Sequence, residues 1–264
     1  MKKDEAFDLI SIILRRGLFP LGEFTFHNYQ EIIVDLDSYL SIVLKEDFDN
    51  LEKAKKIRIL HDITGNMIEF LETYIDVAHI KFYYNMEEYK IFSSIYPNWC
   101  KDRQKRFKNE STINTIHKFL IEKFRKLSTI KHNFHLIKSP DSPIIQIFKD
   151  ISLAKEKKYI IISRDPHYLC LLAYFDLSIY NGRFIVGNEN YYLEDEYPKV
   201  SRSLIPAYYM IAGLPRNEYK GLEKYGKKNT VKLINNNIIP IIKQELELIE
   251  PVNKYRKIFY LKEL

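Results

Sequence analysis

Four aspartates stand where the sequence predicts that strands end or helices begin, and their carboxylates could bind a divalent metal ion. Asp35 and Asp37 end the apolar run EIIVDLD at 31–37, Asp165 ends KYIIISRD at 158–165, and Asp141 precedes a predicted helix. Ligands gather at the carboxyl ends of parallel strands. Mg²⁺ and Mn²⁺ prefer oxygen ligands, so several carboxylates at one sheet edge suit phosphodiester hydrolysis. Aspartates at such positions also cap helices and finish turns, and the pattern leaves both roles open.

A second candidate site lies in the segment GLEKYGKKNTVKLI at 221–234. Gly221 and Gly226 permit a tight turn, and the apolar spacing from Thr230 onward predicts an amphipathic helix. A helix that begins near Lys227 or Lys228 would direct free backbone N–H groups and the positive end of its dipole at an anion. The alternative is an ordinary connection between two helices, with its lysines in water.

A third candidate is the cationic run KDRQKRFK at 101–108, which lies beside Trp99 and contains Phe107. Cations bind nucleic-acid phosphates, and an aromatic ring can stack on an unpaired base. A solvated helix face for the cations and core packing for the two aromatic residues are the alternatives. The cations of the run that we single out are Lys101, Arg103, Lys105 and Arg106.

The composition is that of an ordinary globular protein with a moderate preference for anionic partners. The chain has 264 residues and a net charge of +6. No apolar run approaches the roughly 20 residues that span a bilayer, so we expect no membrane partner. Residues 6–19 have acids before their apolar core and arginines inside it, which predicts an amphipathic helix rather than a leader. Cys100 and Cys170 lack metal-site and disulfide-framework spacing, which favours a reducing, cytoplasmic compartment.

The elements that must position these residues alternate between strand and helix. Apolar runs at 31–37, 78–84 and 158–165 predict strands, and residues 175–187 predict a strand, a turn at Asn181–Gly182 and a further strand. Helical patterns cover 49–75 and 142–157, the latter with Ser142 as N-cap and Pro143 at the first helical position. The alternation predicts an α/β fold with a mostly parallel sheet that is flanked by helices. Residues 85–130 are long, polar and helical and are expected to protrude, and residues from about 205 are helical to the end.

Four segments in this order resemble the flap endonuclease and 5′-exonuclease family. IIVDLDSYL resembles the first strand with its metal-binding aspartate. IYPNWCKDRQKR is similar to the stretch at the base of the helical arch, and KYIIISRDPHYLCLL to the strand that ends in paired aspartates. AGLPRNEYKGLEKYGKKNTVKLI resembles the helix-three-turn-helix element that binds duplex DNA. The resemblance covers about residues 30–240.

The sequence departs from the family pattern at several positions. Asp35, Asp141 and Asp165 fall on expected metal-ligand positions, but other expected acids and the cations that would engage the scissile phosphate are replaced. The replacing residues are Tyr83, Ser139, Ser142, His167, Asn217, Phe92 and Ser93. Three carboxylates, with Asp37 as a further ligand, could hold one Mg²⁺ or Mn²⁺ weakly. They would hardly position the two metal ions that two-metal hydrolysis requires.

The resemblance implies a PIN/flap-nuclease-like domain over 1–204 with a helical arch at about 85–130. It implies a C-terminal helix-three-turn-helix region over 205–264 that packs on this domain. The implied DNA contacts are Lys101, Arg103, Lys105, Arg106, Gly221, Gly226, Lys227, Lys228 and Thr230, and carbonyls of the 221–226 turn could hold a monovalent cation such as K⁺.

The leading interpretation is a DNA-binding protein whose nuclease site is degraded, a pseudoenzyme that holds duplex or branched DNA in a replication, transcription or packaging assembly. An active metal-dependent 5′–3′ exonuclease or flap endonuclease is the second interpretation. A structural protein that uses the fold only for protein contacts is the third. Richness in Lys, Ile, Asn and Tyr favours an AT-rich genome, such as those of some phages and viruses.

Overall fold

Six strands form one sheet in the computed structural model. The model describes residues 26–43, 52–85, 87, 89–101, 112–154, 157–163, 165–181, 185–187, 199–214, 219–222, 225–235 and 254–263. The strands are β1 (Glu31–Asp35), β2 (His79–Tyr84), β3 (Phe134–Lys138), β4 (Tyr159–Ile162), β5 (Leu177–Tyr180) and β6 (Ile185–Val186). Their spatial order is β3-β2-β1-β4-β5-β6, and only β6 is antiparallel to its neighbour. The predicted mostly parallel α/β sheet is confirmed.

The central strands are buried on both faces because helices cover both. Every residue of β1 and β4 is buried, and side chains alternate between two apolar clusters. Ile33 and Ile161 join the cluster on one face, whereas Ile32 and Ile160 join the cluster on the other. This two-sided burial explains why these strands are continuous apolar runs in the sequence.

The helices that follow β1, β2 and β3 pack on the two faces of the sheet. They are α1 (Leu36–Val43), α2 (Lys53–Tyr74), α3 (Lys90–Ile95), α4 (Thr112–Ile130) and α5 (Pro143–Leu153). On one face, α2 contributes Phe70 and α4 contributes Phe124, whose ring meets that of Phe82 at 5.3 Å. The predicted start of α5, with Pro143 in its first turn after Ser142, is confirmed.

The C-terminal helices share the core of the opposite sheet face. After β6 the described chain forms α6 (Ile205–Ala212), α7 (Lys227–Asn235) and a short helix at 254–259, here α8. Three 3-10 helices complete the description: Pro166–Ala173, Arg202–Leu204 and Leu261–Glu263. Met210, Ile234 and Phe259 belong to the same buried cluster as Leu171. A domain boundary near residue 205 therefore stays a prediction.

One strand of the structure was not predicted from the sequence. β3 is an edge strand in which only Phe134 is buried, and His135 and Lys138 are exposed. Within the segment expected to protrude, Phe92 and Leu120 have no exposed surface, so these two residues pack in the core. A helical arch over about 85–130 stays a prediction.

Other predictions concern residues that the structure does not describe or only partly describes. The amphipathic helix at 6–19 and the cations Arg103, Lys105 and Arg106 lie outside the described residues. Cys100 and Cys170 are both buried thiols. None of the described helices has the length and apolar character that crossing a membrane would require.

Candidate functional site

Asp35 ends β1 and Asp37 lies in the first turn of α1, and both accept hydrogen bonds from the protein itself. The Asp35 carboxylate accepts a 3.0 Å bond from the backbone N–H of Ser38, in the first turn of α1, which is the bond of a helix cap. Asp37 is fully buried, and its Oδ2 accepts a 2.8 Å bond from the Asn85 N–H and a 3.0 Å bond from the Tyr89 hydroxyl. The Asp37 bonds therefore connect the start of α1 to the segment that follows β2.

Asp141 and Asp165 use their carboxylates in the same way. Asp141 Oδ2 accepts a 3.0 Å bond from the N–H of Ile91, in the first turn of α3, and its Oδ1 accepts a 2.8 Å bond from the N–H of Ser142. Asp165 Oδ1 accepts a 2.9 Å bond from the N–H of His167, at the start of a 3-10 helix. Each carboxylate thus satisfies backbone N–H groups that the helix itself leaves without partners.

The four aspartates lie at one edge of the sheet, where polar residues connect them. Asn85 donates through its backbone to Asp37 and through its side chain to the Asp141 carbonyl oxygen at 2.8 Å. The Tyr168 hydroxyl lies near both Asp35 and Asp165. Burial raises the pKa of Tyr168 well above its ordinary value, and the charges of Asp35 and Asp165 add to this. The carboxyl-terminal edge therefore gathers these side chains, as strand-end placement predicts.

Within the described ranges, no group of three or more His, Cys, Asp or Glu side chains is arranged to hold a metal ion. Asp35, Asp141 and Asp165, predicted as the ligands of one weakly held Mg²⁺ or Mn²⁺, each accept a backbone hydrogen bond at the start of a helix. An ion would compete with these bonds for the oxygens that accept them, and the metal site stays a prediction.

Tyr83 occupies the strand position where the family pattern has an aspartate, and its polar group is directed away from this edge. It stands beside Asp35 in the β1–β2 register. Its hydroxyl donates a 2.6 Å bond to Asp150 Oδ2 in the second half of α5. Burial, together with this bond and the charge of Asp150, raises the Tyr83 pKa far above its ordinary value. Tyr83 therefore stays a neutral donor and connects the sheet to α5.

His167 occupies another expected acid position and is fully surrounded by protein. Its Nε2 lies 2.8 Å from the carbonyl oxygen of Ile258, so this nitrogen carries the proton and donates. The rings of Phe92, Trp99 and Phe259 lie 5.2–5.7 Å from the imidazole. Burial lowers the pKa of His167, and the charge of Asp165 opposes this only in part. The imidazole is a neutral packing residue rather than a ligand.

The same aromatic cluster settles the placement of Trp99. Its side chain is only 1% exposed and packs against Phe92 and Phe259. A ring in this position cannot stack on an unpaired base, so that interpretation of Trp99 is wrong. Phe92 itself has no exposed surface, which places an apolar ring where the family pattern has a phosphate-binding cation.

Close backbone packing requires a glycine at position 221, and a DNA contact there stays a prediction. It follows a short antiparallel bridge between Leu214 and Tyr219, and its φ is 75°. A Cβ at Gly221 would lie 2.4 Å from the carbonyl oxygen of Ile211, at the end of α6. The next residue, Leu222, donates a 2.9 Å backbone bond to this same oxygen.

The predicted start of the helix at Lys227 is confirmed. Lys227 and Lys228 begin α7 and are exposed. Thr230 is fully buried, with its hydroxyl 3.1 Å from the Gly226 carbonyl oxygen, so it holds the turn and is not placed to contact DNA. A Cβ at Gly226 would meet nothing within 4 Å, so close packing does not require a glycine there.

Two further cationic segments meet Tyr219, which precedes this turn, through aromatic residues: the Tyr96 ring lies 5.2 Å and the Tyr255 ring 5.4 Å from the Tyr219 ring. Lys101 is exposed, with its amine 3.4 Å from the Asn98 side-chain oxygen. Sequence analysis did not single out the run KYRK at 254–257, whose cations are exposed on α8. The signal that could have found this run is its charge density beside buried aromatic and apolar residues.

The sheet order, the mostly parallel pairing and the C-terminal helices define the fold of flap endonucleases and 5′-exonucleases. The solved structures that this chain resembles include bacteriophage T5 5′-exonuclease with bound zinc, at a TM-score of 0.60 and 15% identity over 87% of this chain and 86% of that one. A bacteriophage T5 flap endonuclease pseudo-enzyme–product complex with DNA and metal ions gives a TM-score of 0.58 at 15% identity, over 88% and 86%. No protein-family model and no curated protein matches the sequence. At these identities the likeness is one of fold.

Proposed function

We propose that this chain binds duplex or branched DNA through its phosphates and does not hydrolyse it. In this role it holds DNA for a replication, transcription or packaging assembly. The observation that carries the proposal is the start of α7 at Lys227, where two exposed lysines stand at a helix N-terminus in a flap-nuclease fold. A structural relative that has been solved with DNA supports the choice of ligand.

The first turn of α7 supplies the elements of a phosphate site. Its N–H groups and positive dipole end are directed out of the helix, and Lys227 and Lys228 add full charges. Gly226, just before the helix, has open space around its Cα, so a phosphate can approach the backbone closely. The buried Thr230 fixes this geometry through its bonds to the Gly226 carbonyl oxygen. Contacts of this kind give position and salt dependence rather than sequence choice.

A monovalent cation at the 221–226 turn is part of the proposal only as an accessory. The Gly226 carbonyl oxygen already accepts bonds from the N–H and hydroxyl of Thr230. The Leu222 carbonyl oxygen accepts a 3.0 Å bond from the Tyr225 N–H. K⁺ would therefore add to a turn that the protein's own hydrogen bonds already support.

The proposal that the chain does not hydrolyse DNA is supported by the described residues of the sheet edge. Two-metal hydrolysis needs ions about 3.5–4 Å apart, held by several carboxylates. Here Asp35, Asp141 and Asp165 accept backbone hydrogen bonds, and Tyr83 and His167 are buried in neutral roles. Neither residue can assume the charge or geometry of the acid that it replaces.

An active nuclease is the second candidate, and one observation favours it. Four aspartates gather at the sheet edge, and structural relatives have been solved with divalent metal ions. If a metal ion displaced the backbone N–H groups that these aspartates cap, the carboxylate oxygens would become its ligands. Metal-dependent cleavage would establish this alternative.

The proposal is tested by the salt dependence of duplex affinity. A Lys227→Ala/Lys228→Ala variant should lose two phosphate contacts, which flattens the slope of log K against log salt by about 1.8. The matched control is Lys123→Ala/Lys126→Ala, which removes two exposed lysines of α4 that have no part in the proposed site. A wild-type protein without salt-dependent affinity for DNA would overturn the proposed function.

A further inference from the structure

The C-terminal helix α8 is fixed to the protein by a buried face. Ile258 and Phe259 have no exposed surface, and the Ile258 carbonyl oxygen accepts the 2.8 Å bond from His167 Nε2. The Phe259 ring lies 5.2 Å from that of Tyr219 and 6.2 Å from that of Trp99. These contacts give α8 a defined position instead of leaving it as a loose terminus.

That position is between two segments that the sequence assigns to DNA. The Tyr255 ring of α8 meets Tyr96 at 5.8 Å and Tyr219 at 5.4 Å. Tyr96 opens the stretch that leads to the exposed Lys101, and Tyr219 is followed by the exposed Lys220 and the turn before α7. α8 therefore connects the base of the cationic run at 101–108 with the glycine–lysine turn.

The exposed side of α8 is strongly basic. Residues 254–262 contain the cations Lys254, Arg256, Lys257 and Lys262 and no acidic residue. Lys254, Arg256 and Lys257 are all exposed, although their neighbours Ile258 and Phe259 are buried. The Lys254 amine lies 5.4 Å from the Tyr255 ring, and the Arg256 guanidinium lies 5.3 Å from the Tyr260 ring. Cation–π contacts at these distances favour side-chain positions close to the helix.

We propose that α8 is a phosphate-binding surface that joins the arch base to the turn before α7. A DNA backbone that passes between these two segments is contacted by Lys254, Arg256 and Lys257. This inference rests on the proposed function and extends it to a helix outside the resembling segments. An acidic protein would also be attracted to these charges, but the position of α8 between Lys101 and Lys220 favours a continuous polyanion.

The test compares two lysine pairs that have the same spacing. Lys254→Ala/Lys257→Ala removes exposed lysines three residues apart on α8, and Lys123→Ala/Lys126→Ala removes exposed lysines three apart on α4. Duplex and 5′-flap DNA affinities are measured at several salt concentrations. The α8 variant should bind at least about tenfold more weakly near 0.1 M salt, with a slope flattened by about 1.8, and the α4 control should change less than about twofold.

The outcomes separate this inference from the proposed function. In one outcome, wild-type protein and the α4 control bind DNA and the Lys227→Ala/Lys228→Ala variant binds more weakly. If the α8 variant then binds as wild type does, the role of α8 is overturned and the proposed function stands. If wild-type protein has no salt-dependent affinity, both proposals fail. Thermal unfolding of each variant should be nearly unchanged, because all six lysines are exposed, and this supports assigning a loss of affinity to lost contacts.

Discussion

The Tyr83 hydroxyl donates a 2.6 Å hydrogen bond to Asp150, and this bond connects the centre of the sheet to α5. The other Asp150 oxygen accepts a 2.8 Å bond from the Gln146 side chain. Tyr83 is fully buried and stands beside Asp35 in the sheet, yet its polar atom is committed to the helix that covers this face. The residue that replaces an expected metal ligand therefore has a structural role of its own.

Removal of this hydroxyl should destabilise the protein without any change in DNA binding. Tyr83→Phe keeps the buried ring and leaves the Asp150 carboxylate with one fewer donor, at an expected cost of about 1–3 kcal/mol in unfolding free energy. Tyr84→Phe is the matched control, since Tyr84 is the next residue and faces the other side of the sheet. Urea unfolding measures both variants, and equal stability of the two would contradict this role.

The sequence predicted the helix starts that depend on interactions between neighbouring residues. The start of α5 after Ser142 and the start of α7 at Lys227 both follow from capping and spacing within a few residues. The aspartate caps were also open to prediction, because strand-end aspartates often bind nearby N–H groups. What remained open was whether these carboxylates serve a metal ion or the backbone.

Long-range contacts explain what the sequence could not predict. Tyr83 and Asp150 are 67 residues apart, and His167 and Ile258 are 91 residues apart. No periodicity links such pairs. The sequence could therefore not show that Tyr83 and His167, which stand at expected acid positions, have hydrogen-bond partners. β3 was missed for a different reason: an edge strand with exposed polar residues lacks the apolar run that marked its neighbours.

Glu31 should make stability depend on pH below neutrality. It is 2% exposed at the amino-terminal edge of the sheet and accepts bonds from Lys81 at 2.9 Å and from Lys157. Burial alone would raise the pKa of Glu31, but the bonds and charges of these two lysines outweigh it and hold the pKa below its usual 4.5. The ionised form therefore stabilises the folded state above pH 4.5, and this contribution is lost as pH falls through the lowered folded-state pKa.

Glu31→Gln should accordingly cost about 1–3 kcal/mol at pH 7, since both lysine partners are partly exposed. Its difference from wild type should shrink as the pH falls below about 4.5. Denaturant unfolding between pH 3 and 7 measures this. Glu87→Gln is the control, because Lys138 also lowers the pKa of Glu87 but the pair is exposed to solvent, so its pH-dependent difference should be much smaller. A Glu31→Gln effect that is independent of pH would contradict the account.

The two glycines around the turn should respond differently to substitution. Gly221→Ala would force a Cβ to within 2.4 Å of the Ile211 carbonyl oxygen at a positive φ, which should cost more than about 2 kcal/mol. Gly226→Ala enters open space just before α7 and should cost less than about 1 kcal/mol. Thermal or urea unfolding compares them directly. Similar losses for both would show that the described backbone packing is not what requires Gly221.

The most direct test of the central claim is one assay on a 5′-flap DNA, with binding and cleavage followed in Mg²⁺, Mn²⁺ and EDTA. Because Asp35, Asp141 and Asp165 already accept backbone hydrogen bonds, we expect salt-sensitive binding that persists in EDTA, and no cleavage in any of the three conditions. Robust Mg²⁺-dependent cleavage that disappears in Asp165→Ala would contradict the account and establish an active nuclease.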